Sequence, residues 1–239
     1  FLTRKRLMGI TAGLLFAIHP VQIESVVWIS ERKNLLTSFF FLISFLAYVL
    51  FQEKKKSGLL FLLSLLTFIA ACLSKPNVVV LPLLFIAFDV CYGHFEKKNI
   101  LLYLPFFIGA FALGFFTLEI TKDLGRLQYH GGSFFTSLLA MFVVMMKYLG
   151  LIFFIYNQSL IYVFPSYRSL LEPEVFASFL GVLALLGTAF FLWKKDKKLF
   201  FWAAWYFILL LPVMNFIPFP SLMNDRYLYV PLIGFFTAG

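Results

Sequence analysis

Charge is scarce in this sequence, because only 13% of its 239 residues are Asp, Glu, Lys or Arg while 62% are hydrophobic. A soluble domain has about 25% charged and roughly 45–50% apolar residues, so water could not solvate the surface of this chain. This scarcity excludes a cytosolic enzyme and a disordered segment. The length instead accommodates membrane-crossing helices of roughly 20 residues each. The sequence therefore predicts an all-α integral membrane protein.

Acidic residues are scarcer than basic ones, with eleven Asp and Glu against twenty Lys and Arg. The basic residues cluster in short runs at the ends of apolar stretches, as cytoplasmic anchors do under the positive-inside rule. A basic surface with interleaved aromatic residues is missing, which excludes a nucleic acid as partner. The anchoring runs are Arg4–Arg6, Lys54–Lys56, Lys97–Lys98, Lys194–Lys195 and Lys197–Lys198.

Cysteine is almost absent, which excludes a disulfide-stabilised scaffold. Cys72 and Cys91 are predicted near opposite ends of neighbouring spans, too far apart for a disulfide bond. The sequence shows no Cys/His metal motif, glycine-rich phosphate loop or Ser-His-Asp signature. It therefore assigns no cofactor and leaves a divalent metal undecided. Because the chain begins at Phe1 and stops at Gly239 within an apolar run, we expect a fragment truncated at both ends.

Nine apolar stretches alternate with charged or turn-forming segments, and we expect about eight of them to cross the membrane. The stretch 133–154 is the exception, because an unpaired Lys147 would be costly at mid-bilayer and because omitting this span keeps every basic run on one side. We predict that it lies at the outer face within an external region of about 120–173. The alternative is a true span that breaks the charge rule. The nine stretches are 7–18, 34–52, 58–74, 78–93, 99–119, 133–154, 174–193, 199–217 and 228–239.

The remaining polar residues collect on the predicted external side, most densely around residues 20–33. This segment is predicted to form one interfacial helix with Glu24 and Glu31 on the same face. Glu24 is a candidate functional carboxylate and Arg32 a candidate cation, although Glu31 and Arg32 could also be merely solvated. His19 is expected to hold the turn before Pro20, and it is also included among the candidate binding residues.

Two further segments supply candidate cations on the same side. Lys75, in a tight link before Pro76, suits a phosphate, or it could simply extend to the membrane surface. Asp225 and Arg226 precede a tyrosine pair that includes Tyr229. Arg226 could hold an anion through two hydrogen bonds, or the pair could form a helix cap within an aromatic belt.

Three segments resemble a known family in their order along the chain: FAIHPVQIESVVWISERKNLLTSFFFLISFLAYV, LSKPNVVVLPLLFIAFDV and MNDRYLYVPLIGF. They are similar to the multispanning GT-C glycosyltransferases of bacteria that are fused to tetratricopeptide repeats, relatives of the transmembrane O-mannosyltransferases that target cadherins. The segment KYLGLIFFIYNQSLIYVFPS resembles the external part of that family. The resemblance covers nearly the whole chain.

The resemblance implies a partial GT-C-like transmembrane domain over residues 1–239 and an enzyme that uses a polyprenyl-phosphate-linked sugar. The sugar, with mannose as one candidate, would pass to a protein Ser/Thr hydroxyl or another acceptor, such as a glycan, at the external face. The family's catalytic base lies in a first external loop that we expect upstream of Phe1, and its repeats are expected downstream. The fragment alone is therefore expected to be inactive.

The resemblance also implies roles for the candidate residues. Glu24 would position the acceptor or other groups of the site, while Arg32, Lys75 and Arg226 would contact the donor phosphate. His19, Asp225 and Tyr229 are the remaining candidate binding residues. The expected partners are membrane lipid, donor and acceptor. The expected location is a bacterial inner membrane with a periplasmic active face, or the endoplasmic reticulum in a eukaryote.

Two alternatives come from other functional classes. A transporter or flippase of lipid-linked precursors would show inverted repeats and broken helices at mid-membrane, and the sequence has no repeated pattern. A non-catalytic membrane scaffold would recruit partners through its repeats. An Asp or Glu pair in the upstream loop would favour sugar transfer over the scaffold.

Overall fold

A computed structural model describes residues 6–54, 57–123, 128–154, 158–218 and 221–238 of the chain. These residues form helices and connecting segments, with no strand among them. The fold is therefore all-α, as predicted. The α-helices of the described part are α1 (Arg6–Ile18), α2 (Ile23–Val27), α3 (Arg32–Glu53), α4 (Gly58–Ser74), α5 (Leu81–Tyr92), α6 (Leu104–Asp123), α7 (Phe134–Phe153), α8 (Pro173–Lys195), α9 (Lys197–Leu210) and α10 (Pro231–Ala238).

The predicted apolar stretches correspond to α1 and to α3 through α10, and most helix ends lie close to the predicted ones. This agreement follows from long apolar runs that are interrupted by charge, Gly or Pro. The largest difference is at α9, which ends at Leu210 instead of near 217. Pro212 lies in the 3-10 turn that follows, and Asn215 has a positive φ of 54°. Neither residue suits a continuing α-helix.

Four helical segments within the described residues are long and apolar enough to cross a membrane. A fifth is possible if the helices on either side of His19, which are bent by 57° relative to each other, count as one broken span. These segments indicate an integral membrane protein, and the predicted number of about eight spans stays a prediction. The four segments are Ile29–Glu53, Lys97–Asp123, Phe134–Phe153 and Pro173–Lys195.

The single interfacial helix predicted over residues 20–33 is wrong. A 3-10 turn at Pro20–Gln22 leads into α2, and the helix then breaks at Trp28, whose backbone is extended with φ −78° and ψ 110°. A second 3-10 turn, Ile29–Glu31, precedes α3. Glu24 and Glu31 lie on opposite sides of the break and pair with different partners, so tertiary contacts override the helical pattern.

The chain divides into two compact units, Phe1–Val27 with Thr121–Gly239, and Trp28–Ile120. We call them the first and the second unit. The first unit contains α1, α2 and α7–α10, and the second contains α3, α4, α5 and most of α6.

The second unit has an aromatic core. The ring of Tyr48 stacks on that of Phe85 at 4.1 Å between centroids, and Phe106 contacts Phe85 edge-on at 4.9 Å. Ser44 of α3 and Ser64 of α4 each donate a hydrogen bond to the backbone carbonyl of the other, at 2.7 and 2.8 Å. Small hydroxyl residues at a helix contact allow the backbones to approach closely in an apolar environment, which explains the tight packing of α3 on α4.

The first unit is built around α7, whose residues Leu139, Val143 and Leu151 are buried in its apolar core. At Gly234 of α10, an added Cβ would lie 2.7 Å from the carbonyl oxygen of Trp202 in α9. The absence of a side chain at this position is therefore what allows α9 and α10 to pack closely.

Lys147 of α7 has partners in the structure. Its ammonium lies 3.5 Å from Glu174 and 4.6 Å from the centre of the Phe164 ring. The cost of an unpaired cation, which was the argument against a span here, therefore does not hold. Since α7 is also long and apolar enough to cross, the structure removes one reason for an interfacial helix over 133–154. The charge distribution remains the other reason.

Candidate functional site

The first unit contains an ion pair between two of the predicted site residues, Glu24 and Arg226. Arg226 Nη1 lies 2.5 Å from Glu24 Oε1, and the backbone N–H of Arg226 donates to Oε2 at 2.8 Å. The Glu24 side chain is 4% exposed and that of Arg226 17%. A buried carboxylate needs such partners, so this contact fixes both the conformation of Glu24 and the direction of the Arg226 guanidinium.

Asp225 extends this cluster with a second buried carboxylate. It accepts a hydrogen bond of 2.6 Å from the hydroxyl of Tyr162, which belongs to a segment far away in sequence. Burial raises the pKa of Asp225 to about 6, and the nearby negative charge of Glu24 adds to the rise, whereas the Tyr162 hydrogen bond opposes it. Burial and the bond to Asp225 raise the pKa of Tyr162. We call Glu24, Tyr162, Asp225 and Arg226 the acidic cluster.

The neighbouring backbone is held by hydrogen bonds that position the cluster. Asp225 and Arg226 belong to a 3-10 turn, Asp225–Leu228. The residue before this turn, Asn224, donates its backbone N–H to the Tyr148 hydroxyl of α7 at 3.3 Å and its side-chain amide to Ser221 at 2.7 Å. Buried polar contacts of this kind restrict a segment to one conformation.

His19 holds the turn that leads to Glu24. Its Nδ1 accepts the backbone N–H of Val21 at 3.3 Å, and its Nε2 lies 3.0 Å from the carbonyl oxygen of Ile152 at the end of α7. Pro20 begins the 3-10 turn that follows. His19 therefore caps the turn that begins at Pro20, while its role as a binding residue stays a prediction.

A cavity of about 410 Å³ adjoins the acidic cluster through Tyr162. One wall is formed by α7 from Lys147 to its end, and Met223, two residues before Asp225, forms part of another. The first unit therefore contains a cavity that is connected to Asp225 through the hydroxyl of Tyr162.

Lys75 has partners within the second unit. It ends α4 with an extended backbone, and its ammonium donates to Asn34 Oδ1 at 2.9 Å and lies 3.7 Å from Glu31 Oε2. Its side chain is 12% exposed. The alternatives of a lysine that merely extends to the surface and a solvated Glu31 are therefore both wrong.

The predicted site residues fall in both units. His19, Glu24, Asp225, Arg226 and Tyr229 belong to the first, where the structure brings Glu24, Asp225 and Arg226 together. Tyr229 packs edge-on against Phe16 at 5.2 Å.

The other two candidates belong to the second unit. Arg32 is exposed at the start of α3, and Lys75 is bound to Asn34 and Glu31. A single pocket shared by all the candidates stays a prediction. The alternative of an Asp–Arg helix cap at Asp225 and Arg226 is wrong, because Asn224 is the capping residue and Arg226 contacts Glu24.

Several polar residues of these clusters were not singled out as candidates from the sequence. In the sequence, Tyr162 is a tyrosine of the external region of about 120–173, and Lys147 is the cation that argues against a span over 133–154. Asn34 carried no signal, because an Asn at the start of an apolar helix is common. The partners of Tyr162 and Lys147 lie in segments distant in sequence, so no local spacing could have identified them.

The second unit also contains a buried carboxylate with several donors. Asp89 of α5 is completely buried, and its Oδ2 accepts hydrogen bonds from Tyr48, Gln52 and Tyr103 at 2.6, 2.7 and 2.5 Å. These donors lie on α3 and immediately before α6. Asp89 therefore links α5 to α3 and to the segment that leads into α6, and we interpret it as structural.

Cysteine and metal chemistry receive little support from the described residues. Cys72 and Cys91 are free and buried, which confirms that they do not form a disulfide bond. Among the residues that the structure describes, no group of three or more His, Cys, Asp or Glu residues could hold a metal ion.

Comparisons with known proteins give one partial similarity. Over 51 residues, 21% of this chain, it is 47% identical to the human protein named protein O-mannosyl-transferase TMTC4. The matched region is 7% of the length of the human protein. No family model matches the chain, and no solved structure matches it either. The similarity supports the coarse part of the predicted relation, that to a membrane glycosyltransferase.

Proposed function

We propose that this chain is part of a membrane glycosyltransferase that moves a sugar, with mannose as one candidate, from a polyprenyl-phosphate donor to an acceptor hydroxyl. The similarity to the human O-mannosyl-transferase supports the class of reaction. The observation that carries the proposal is the acidic cluster. Glu24, Asp225 and Arg226, all selected from the sequence, are brought together although Glu24 and Arg226 are 202 positions apart. Tyr162, which donates a hydrogen bond to Asp225, lines a cavity.

The reaction that we propose is a substitution at the anomeric carbon of the sugar. The acceptor oxygen forms a bond to that carbon while the bond from the carbon to the donor phosphate oxygen breaks. The hydroxyl proton passes to a carboxylate, expected in the loop upstream of Phe1, and the polyprenyl phosphate leaves with the bonding electron pair. Fixed cations stabilise the charge that develops on the phosphate.

The residues have separate roles in this proposal. Arg226, Lys75 and Arg32 contact the phosphate, and Glu24 orients Arg226 through its two hydrogen bonds. Asp225 accepts a hydrogen bond from a substrate hydroxyl, while His19 and Tyr229 support the surrounding turns. The acceptor is a protein Ser or Thr hydroxyl or a glycan hydroxyl, at the external face of the membrane.

The proposal is tested with membranes that contain the full-length native protein. They are incubated with polyprenyl-phosphate sugars labelled in the sugar, and the products are identified by mass spectrometry. We expect the label on an acceptor and free polyprenyl phosphate in equal amount. A transporter would move intact donor between the leaflets without any product, and a scaffold would do neither. Either result would overturn the proposed function.

A further inference from the structure

The cavity beside the acidic cluster combines one cation with apolar walls. Lys147, Gly150, Leu151 and Phe154 line it from α7 and its C-terminal cap. Their spacing of three, four and seven residues puts them on one face of the helix. The ammonium group of Lys147 thus lies at one end of this face, and the apolar side chains of Leu151 and Phe154 follow it along the helix.

The other lining residues are apolar or carry a hydroxyl group. Met223 adds a buried apolar side chain, while Ser159 and Tyr162 add hydroxyl groups, and no lining residue that the structure describes carries a carboxylate. A ligand that matches these walls has an anionic group next to an apolar chain. The volume of about 410 Å³ is much larger than an inorganic phosphate requires.

The present partner of Lys147 can be exchanged for a ligand. Both side chains of the Lys147–Glu174 pair are about half exposed, at 44% and 51%, and such pairs are weak. Glu174 also accepts a hydrogen bond of 2.6 Å from Tyr167 through its other oxygen. It therefore keeps a partner when Lys147 turns to another anion.

We propose that this cavity binds the phosphate group of a polyprenyl monophosphate together with the adjoining part of its chain, and that Lys147 contacts the phosphate in place of Glu174. The chain lies against Leu151, Phe154 and Met223. This inference rests on the proposed function, which supplies polyprenyl phosphate as the lipid that carries the phosphate. It adds a cation, on α7, to those selected from the sequence.

The test uses the full-length native protein in detergent and a photoactivatable polyprenyl monophosphate, with the labelled fraction measured against probe concentration. Lys147→Gln should weaken binding about tenfold, because a charge-assisted hydrogen bond is lost. The matched control is Lys194→Gln. Lys194 is also an exposed lysine, 5.6 Å from the ring centre of Phe190, and it does not line this cavity. The Lys194→Gln variant should therefore bind the probe as the unmodified protein does.

Two further variants separate a loss of binding from a loss of folding. Glu174→Gln should strengthen binding, by roughly threefold, because it removes the anion that competes for Lys147. A misfolded protein could not give this change. Gly150→Phe should abolish labelling, since a Cβ at Gly150 meets no atom within 4 Å and the ring would fill the cavity. Gly187→Phe on α8, where a Cβ is equally unobstructed, is its control.

Competition identifies the source of the phosphate. Unlabelled polyprenyl phosphate should displace the probe, while phosphatidic acid and inorganic phosphate should not. Equal displacement by phosphatidic acid, or unchanged labelling in both Lys147→Gln and Gly150→Phe, would overturn the inference. If these variants bind normally while the protein transfers sugar, only the inference fails. If the probe binds as expected and no sugar is transferred, only the proposed function fails.

Discussion

Glu24 and Arg226 contact each other through both the side chain and the backbone of the arginine, across 202 positions of sequence. The pair joins the start of α2 to the turn before α10 within the first unit. Both side chains are largely buried. Because each charge would be costly without the other, the pair should behave as one energetic unit.

A double-mutant cycle tests this coupling. Glu24→Gln and Arg226→Met should each destabilise the protein by roughly 3–5 kcal/mol, since each leaves an uncompensated buried charge or donor. The double variant should lose less than the sum, by about 1–3 kcal/mol. The measurement is the free energy of unfolding in detergent. Strictly additive losses would show that the two residues are not coupled.

The stability of the protein should depend on pH through Asp225. Its pKa in the folded state is raised to about 6, so the folded state binds the proton more tightly than the unfolded chain does. The resulting stabilisation is present below pH 4 and is lost as the pH rises through 6. Its size is on the order of 3 kcal/mol.

Two variants check the assignment to Asp225 in unfolding measurements between pH 4 and 8. Asp225→Asn should remove this dependence. Tyr162→Phe should move its midpoint to higher pH, because the Tyr162 hydrogen bond favours the ionised carboxylate. A pH profile that is the same in Asp225→Asn and in the unmodified protein would rule out Asp225 as the titrating group.

The helices were predictable because the apolar runs are long and sharply bounded, as at α4, which spans Gly58–Ser74 as predicted. The break at Trp28 was not, because it depends on partners that Glu24 and Glu31 find elsewhere. Residue type alone identified Glu24, Lys75 and Arg226 as unusual in an apolar chain. Which of them meet, and through which further residues, depends on long-range packing that no local pattern records.

Lys75 and Lys33 offer a matched comparison around one carboxylate. Both ammonium groups lie within 4.0 Å of Glu31, but the Lys33 side chain is 54% exposed whereas Lys75 is mostly buried. Lys75→Gln should lower sugar transfer at least tenfold if it contacts the donor phosphate, and Lys33→Gln should leave transfer unchanged. The measurement is the initial rate at equal amounts of protein in the membrane. Equal rates in the two variants would remove Lys75 from the site.

The Asp89 network should matter for stability and not for chemistry. Tyr103→Phe removes one of three donors and should cost about 1–2 kcal/mol in the free energy of unfolding. Tyr129→Phe, at a half-buried residue whose exposed hydrogen bond runs to the carbonyl oxygen of Phe216, is the control and should change little. The folded fraction of Tyr103→Phe should transfer sugar at the normal rate. A specific loss of turnover would contradict the structural interpretation.

The central claim is that the acidic cluster belongs to the site of a lipid-linked sugar transferase. Its most direct test compares Arg226→Gln with Arg168→Gln in the full-length native protein. The two variants make the same change, at the residue paired with Glu24 and at an exposed arginine. With a labelled polyprenyl-phosphate sugar, Arg226→Gln should transfer at least tenfold more slowly than Arg168→Gln at equal membrane abundance. Equal rates would contradict the claim.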